Sequence, residues 1–142
     1  MAKTRRVPST STLRRSNSKK TRNNGQWTEA RFNSFVASAL RAASRRWPPK
    51  WEVLKQSLVG IRLNKATKRE GKHYRCQICT GIFPSSQVQV DHIKPIGDWS
   101  DWNKVVNALF CEADNLQAVC KPCHLEKTKK EKAKLHENKK DN

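Results

Sequence analysis

The sequence predicts a small α+β protein: a helical hairpin followed by a unit of short strands and helices stapled by a metal ion. Three observations predict it. An apolar stripe at helical spacing lies between Thr28 and Arg46. Two C-x2-C pairs, Cys76/Cys79 and Cys120/Cys123, stand forty residues apart. Strand-like runs lie next to those pairs, and a charged helical stretch follows the second. Hydrophobic content of 35% against 30% charged residues leaves little apolar surface to bury in 142 residues. A core that small commonly needs a staple.

In chain order, residues 1–26 contain no acidic residue, and Val7 and Leu13 are almost their only large apolar side chains. Such a composition cannot bury enough to order itself, so a disordered basic arm is expected. A helical hairpin is expected over residues 27–60. Thr28 is placed to cap a helix reaching Arg46, with Phe32, Phe35, Val36, Ala39, Leu40 and Ala43 on one stripe. The prolines after Trp47 stop it, and Pro49 can start the next helix, with Trp51, Leu54 and Leu58 on its buried side. Residues 61–72 read as a basic linker. Residues 73–136 are the expected metal-bearing domain, and 137–142 a fraying tail. Within that domain Cys76 and Cys79 share a tight turn in which Gly81 can take a positive φ. Val88 and Val90 alternate with glutamines as in a strand. Trp102, Val105 and Leu109 predict a short helix capped by Ser100 or Asp101. "NLQAVC" is a second strand, and Pro122 to about His136 a charged helix with Leu125 and Leu135 as sparse contacts.

Lysine and arginine total 30 against 12 acidic residues, a formal charge of +18. That excess points to a polyanionic partner, nucleic acid before an anionic membrane, because no apolar run has membrane-spanning length. No secretory segment precedes the cysteines, so the paired motifs read as zinc ligands in a reducing compartment, with disulfides as the oxidised alternative. Four thiolates complete a tetrahedron around one ion. Cys111 is left over and reads as a small buried residue.

The insert between the cysteine pairs carries Asp91 and His92. His124 directly follows Cys123, and Asn115 directly precedes the second strand. Tying Cys120 and Cys123 to Cys76 and Cys79 therefore brings His124 toward Asp91. A carboxylate with an imidazole suits Mg, Mn, Ni or Zn. An ideal strand sends Asp91 and His92 to opposite faces, so both serve one site only if the strand ends or twists there, as Pro95 and Gly97 allow. Singly, each residue has a structural reading: a strand-end cap, a satisfied histidine, a turn asparagine, a spare zinc ligand. Their conjunction points to chemistry. Lys94, Lys121, Lys127, Lys129 and Lys130 flank the group as phosphate contacts. Trp99 and Trp102 lie between the strands, where they either enter a groove or close the core. His73 and His136 lack partners and read as structural.

"VDHIKPI" followed by "NLQAVCKPCHLEKT" resembles the HNH endonucleases of the ββα-metal class, in the branch with flanking cysteine pairs, over about residues 73–130. "RRWPPKWE" is similar to the leader of small phage-encoded members. The resemblance implies a ββα-metal module with a structural zinc on Cys76, Cys79, Cys120 and Cys123. It makes His92 the general base and Asn115 the residue orienting its loop. Asp91 and His124 hold one catalytic divalent cation. The implied reaction is hydrolysis of DNA to 5′-phosphate and 3′-hydroxyl ends. Two departures stand out. Thr128 occupies the place where some members carry a third metal-binding histidine, and a threonine precedes the glycine of the first knuckle.

Two other readings share these features: a zinc-stapled nucleic-acid-binding module without catalysis, and a basic RNA- or ribosome-associated protein. The expected partner is DNA, with no membrane. Double-strand cutting would call on a second copy or a phage protein. The expected location is the cytoplasm, that of a bacterial host if the chain is phage-encoded.

Overall fold

The computed structural model describes residues 18–140. Residues 1–17 of the expected arm and 141–142 of the expected tail lie outside the described residues. Two compact units divide between Ala37 and Ser38.

In the first unit Lys20–Arg22 (β1) and Trp27–Thr28 (β2) pair antiparallel, so the end of the expected arm is a hairpin. Asn23, Asn24 and Gly25 turn it with φ of 50°, 51° and 76°. Asn and Gly are the residues that tolerate this left-handed run. Composition alone hid the hairpin because its partners come from the following helix, α1 (Glu29–Ser44). Glu29 Oε1 accepts from Thr21 Oγ1 at 2.6 Å and from Arg22 Nε at 2.9 Å. The Arg22 guanidinium lies 4.4 Å from the centre of the Phe32 ring. Thr28 Oγ1 accepts the Arg31 N–H at 3.2 Å, the expected cap. The expected apolar stripe is only partly covered, since Phe35 remains 61% exposed.

In the second unit Pro48 opens α2 (Pro48–Ser57). Its inward residues are Val53, Leu54 and Ser57, whereas Trp51 of the expected stripe is exposed. Leu58 leaves the helix for a strand, which removes the third member of that stripe. Leu58–Asn64 (β3), Arg69–Arg75 (β4) and Ile82–Pro84 (β5) form an antiparallel sheet in that order. The segment read as a linker is thus most of a β-hairpin. Asn64 holds its turn, accepting the Ala66 N–H on its side chain at 3.0 Å and the Lys68 N–H on its carbonyl at 2.8 Å. Ile61 and Leu63 face solvent, so the alternation carries no burial and the basic composition masked it.

Val88–His92 (β6), Trp102–Leu109 (α3), Leu116–Cys120 (β7) and Lys121–Lys140 (α4) complete the chain. β6 and β7 pair antiparallel from Val88 opposite Cys120 to His92 opposite Leu116. Asp101 caps α3, its carboxylate accepting the N–H groups of Asn103 at 3.0 Å and Lys104 at 3.3 Å. With no glycine or proline to stop it, α4 continues through residues 137–140 of the expected tail.

The core is small, as the composition predicts. Val53 of α2 packs on Leu116 and Ala118 of β7, with Val88, Val90 and Cys111 at the margin. Val105 and Leu109 bury the inner side of α3. A second cluster joins Cys76, Val119 and Cys120 to Phe83 and Cys123. Among the described residues no helix is long and apolar enough to cross a membrane.

Candidate metal centre and active site

The first cysteine pair sits in a knuckle after β4. Thr80 N–H donates to Cys76 O at 2.9 Å, and Cys76 N–H donates to Gly81 O at 2.8 Å. Thr80, not Gly81, takes the left-handed conformation, with φ of 61°. Gly81 instead leaves room for a neighbour: a Cβ there would stand 2.8 Å from the Phe83 ring, which would have to shift. The knuckle docks on β7, with Gln77 N–H donating to Ala118 O at 2.9 Å and Gln77 Oε1 accepting the Ala118 N–H at 2.7 Å. Cys120 ends β7 and Cys123 lies in the first turn of α4.

These contacts bring all four sulfurs within 4.8 Å of one another, with Cys79 Sγ 3.9 Å from Cys120 Sγ. Zinc–sulfur bonds of about 2.3 Å at tetrahedral angles separate sulfurs by about 3.8 Å, so the four residues fit a zinc ion. Their protonation is strongly divided. Burial opposes ionisation of Cys76, but backbone N–H groups of Cys79, Cys120 and Ile78 outweigh it and bring the thiol down to about 6. The neighbouring Cys120 sulfur, then burial, push Cys123 up to about 12. Four sulfurs this close cannot all ionise without a cation among them.

The second group is built by the β6–β7 register. Asp91 stands opposite Gln117, and α4 starts where β7 ends, so its first turns return past Asp91. His124 Nε2 lies 3.6 Å from Asp91 Oδ1. Two donors, each about 2.1 Å from one divalent ion and 90–120° apart, are separated by about 3.0–3.6 Å. The pair fits such an ion, and the His124 side chain is open enough for further ligands. Lys127 Nζ sits 2.8 Å from Asp91 Oδ2 and 2.5 Å from Glu131 Oε1, and donates to His92 O at 2.7 Å. Asp91 Oδ2 is buried and gains this charge partner without an aligned hydrogen bond. Its two neighbouring carboxylates raise the Lys127 pKa against the opposing effect of burial.

His92 points toward α3, as strand alternation requires. Its Nε2 lies 3.1 Å from Leu109 O. A carbonyl only accepts, so Nε2 carries the proton and Nδ1 the lone pair. Burial holds the imidazole below its ordinary pKa despite the Leu109 carbonyl, with Lys50 acting in the same direction as burial. Among the described residues no hydrogen bond or ion pair joins this ring to Asp91 or His124. Asn115 ties down the chain that follows. Its Oδ1 accepts the Lys94 N–H at 3.0 Å and its carbonyl the Ile93 N–H at 2.9 Å.

The flanking lysines divide. Lys94 and Lys121 are exposed. Lys130 pairs with Glu126 at 2.9 Å in solvent, a bond weak enough to exchange. Lys127 differs from the expectation: three oxygens already engage its ammonium. The tryptophans pack together, with Trp99 6.3 Å from Trp102 in an edge contact and 4.2 Å from the Arg41 guanidinium. Trp47 Nε1 donates to Cys111 O at 2.7 Å. His73 is buried, its Nδ1 2.8 Å from Gly71 O, the structural role expected of it. Sequence reasoning missed Lys50, whose charge reaches both Asp91 and His92. Its position one turn before Val53 was the available signal.

The chain therefore presents a strand–strand–helix unit in which a four-cysteine centre adjoins a carboxylate–imidazole pair. The family model for HNH endonuclease matches residues 76–130, so this segment is similar to the HNH endonucleases. No curated protein and no solved structure matches the chain.

Proposed function

We propose that the chain is a metal-dependent DNA endonuclease that hydrolyses phosphodiester bonds to 5′-phosphate and 3′-hydroxyl ends. The observation that carries this is the 3.6 Å approach of Asp91 Oδ1 to His124 Nε2 beside the four-cysteine centre. Cys76, Cys79, Cys120 and Cys123 would hold a zinc ion that fixes β7 and the start of α4. A divalent cation on Asp91 and His124 (Mg, Mn, Ni or Zn) would supply positive charge for the scissile phosphate and the leaving oxygen.

The chain's own residues do the rest. His92 accepts the proton of the attacking water at Nδ1, the nitrogen left free by the Leu109 carbonyl. Its lowered pKa keeps the ring neutral at pH 7. Asn115 is a positioning residue that fixes the backbone just after His92. Lys94, Lys121 and Lys130 offer charge to the DNA backbone. A dimer, or a partner protein, would convert nicking into double-strand cutting.

The alternative is a zinc-stapled binding module without catalysis. It draws on one observation, that the His92 ring makes its contact at Leu109 and not at the Asp91–His124 pair. A supercoiled-plasmid assay with each cation separates the readings. The endonuclease nicks the plasmid, and His92→Ala abolishes nicking while DNA binding survives. Equal nicking by wild type and His92→Ala would rule out the enzyme reading.

A further inference from the structure

Two lysines reach the candidate site from different helices, and their surroundings differ. Lys127 of α4 is satisfied by Asp91, Glu131 and the His92 carbonyl. Lys50 of α2 is half-buried, yet among the described residues no hydrogen bond or ion pair engages its ammonium. It lies on the face of α2 that also carries Val53, Leu54 and Ser57, three, four and seven residues on. That face packs on β7, on β6 and on the turn containing Asn115.

The direction of α2 fixes which end of the strands Lys50 meets. Trp47, immediately before α2, bonds to Cys111 O, and Phe110 packs edge-on to the Trp47 ring at 5.5 Å. The adjacent Leu109 carbonyl faces His92. The N-terminal turn of α2 therefore lies at the His92 end of β6. Burial, the largest influence on Lys50, lowers its pKa, and Arg45 adds to this, while the charges of Cys111 and Asp91 oppose it.

A lysine on the inward face of a helix costs stability unless an anion compensates it. The fold gives Lys127 two carboxylates in direct contact, whereas only the more distant charges of Cys111 and Asp91 act on Lys50. We infer that Lys50 is a substrate contact of the candidate site, binding a phosphodiester oxygen of the nucleic-acid strand at the His92 end of β6. The inference rests on the nuclease reading and adds a wall to that site from outside the matched residues 76–130. Lys50 completes its coordination only when the strand arrives.

The test uses the full zinc-loaded chain in a His92→Ala background, so that bound DNA stays intact. Lys50→Met keeps the aliphatic stem and removes the charge. A fluorescently labelled duplex is titrated by anisotropy over a series of salt concentrations, alongside thermal melts. Lys50→Met is expected to melt at the same temperature or higher. Its DNA affinity should fall about tenfold at low salt, as for loss of one charge-assisted hydrogen bond. The log–log salt slope should become shallower by about one. Lys50→Arg should restore both. Unchanged affinity and slope in a folded Lys50→Met overturn the inference and leave the nuclease reading standing. A lower melting temperature with unchanged affinity overturns it too, because Lys50 is then structural. Should Lys50→Met fail to fold, Lys50→Gln is read the same way. A parent protein that binds no duplex removes the nuclease reading itself.

Discussion

The Lys127 ammonium joins α4 to the end of β6 through three oxygens, one of them the buried Oδ2 of Asp91. Methionine at this position keeps the stem and leaves that oxygen without a counter-charge. Lys127→Met is therefore expected to destabilise the fold by about 2 kcal/mol, as for breaking a largely buried ion pair. Urea denaturation reads this as a lower midpoint at unchanged slope; an unmoved midpoint would deny the pair any net value. The opposite sign expected for Lys50→Met makes the two lysines controls for each other. The approach of His124 to Asp91 was legible in the sequence because the cysteine pairs pull their segments together, whereas Asn115 entered through the resemblance. The engagement of Lys127 was not legible, because a lysine beside the site reads equally well from sequence as a phosphate contact. Nor was the orientation of the His92 ring, which is set by a carbonyl at the end of α3.

At the level of elements, the strands of the ββα unit and α3 were readable from alternating valines, helical spacing and an aspartate cap. β3 and β4 were not, because their apolar residues face solvent and their composition is that of a loop. The inward face of α2 was misread for a related reason: two stripes fit a helical period, and only the packed partner β7 selects one. The cysteine knuckle ties several of these elements together. Gln77 clips it to β7, and Cys120 and Cys123 bracket the start of α4. Removing zinc with a chelator is expected to abolish the near-ultraviolet circular dichroism of residues 72–136, because metal binding in such a domain is folding free energy. A spectrum untouched by chelation would mean that the small core stands without its staple.

Across the whole molecule the formal charge of +18 dominates any encounter with a polyanion. If about six phosphates are contacted, the logarithm of the DNA association constant should fall with the logarithm of salt at a slope near −5. A flat salt dependence would take nucleic-acid attraction out of the account. The charge was legible from composition, while the division into two compact units was not, because its boundary falls inside the continuous helix α1.

Cys120, Cys123 and His124 occupy one strand end and one helical turn. On the proposed reading the two ion sites share a scaffold, and filling one is expected to favour the other. An ion among the sulfurs would stiffen the turn that presents His124 to Asp91, adding to the link that Lys127 already makes from α4 to β6. On the proposed reading, a cell short of zinc would leave the site loosely assembled however plentiful its magnesium.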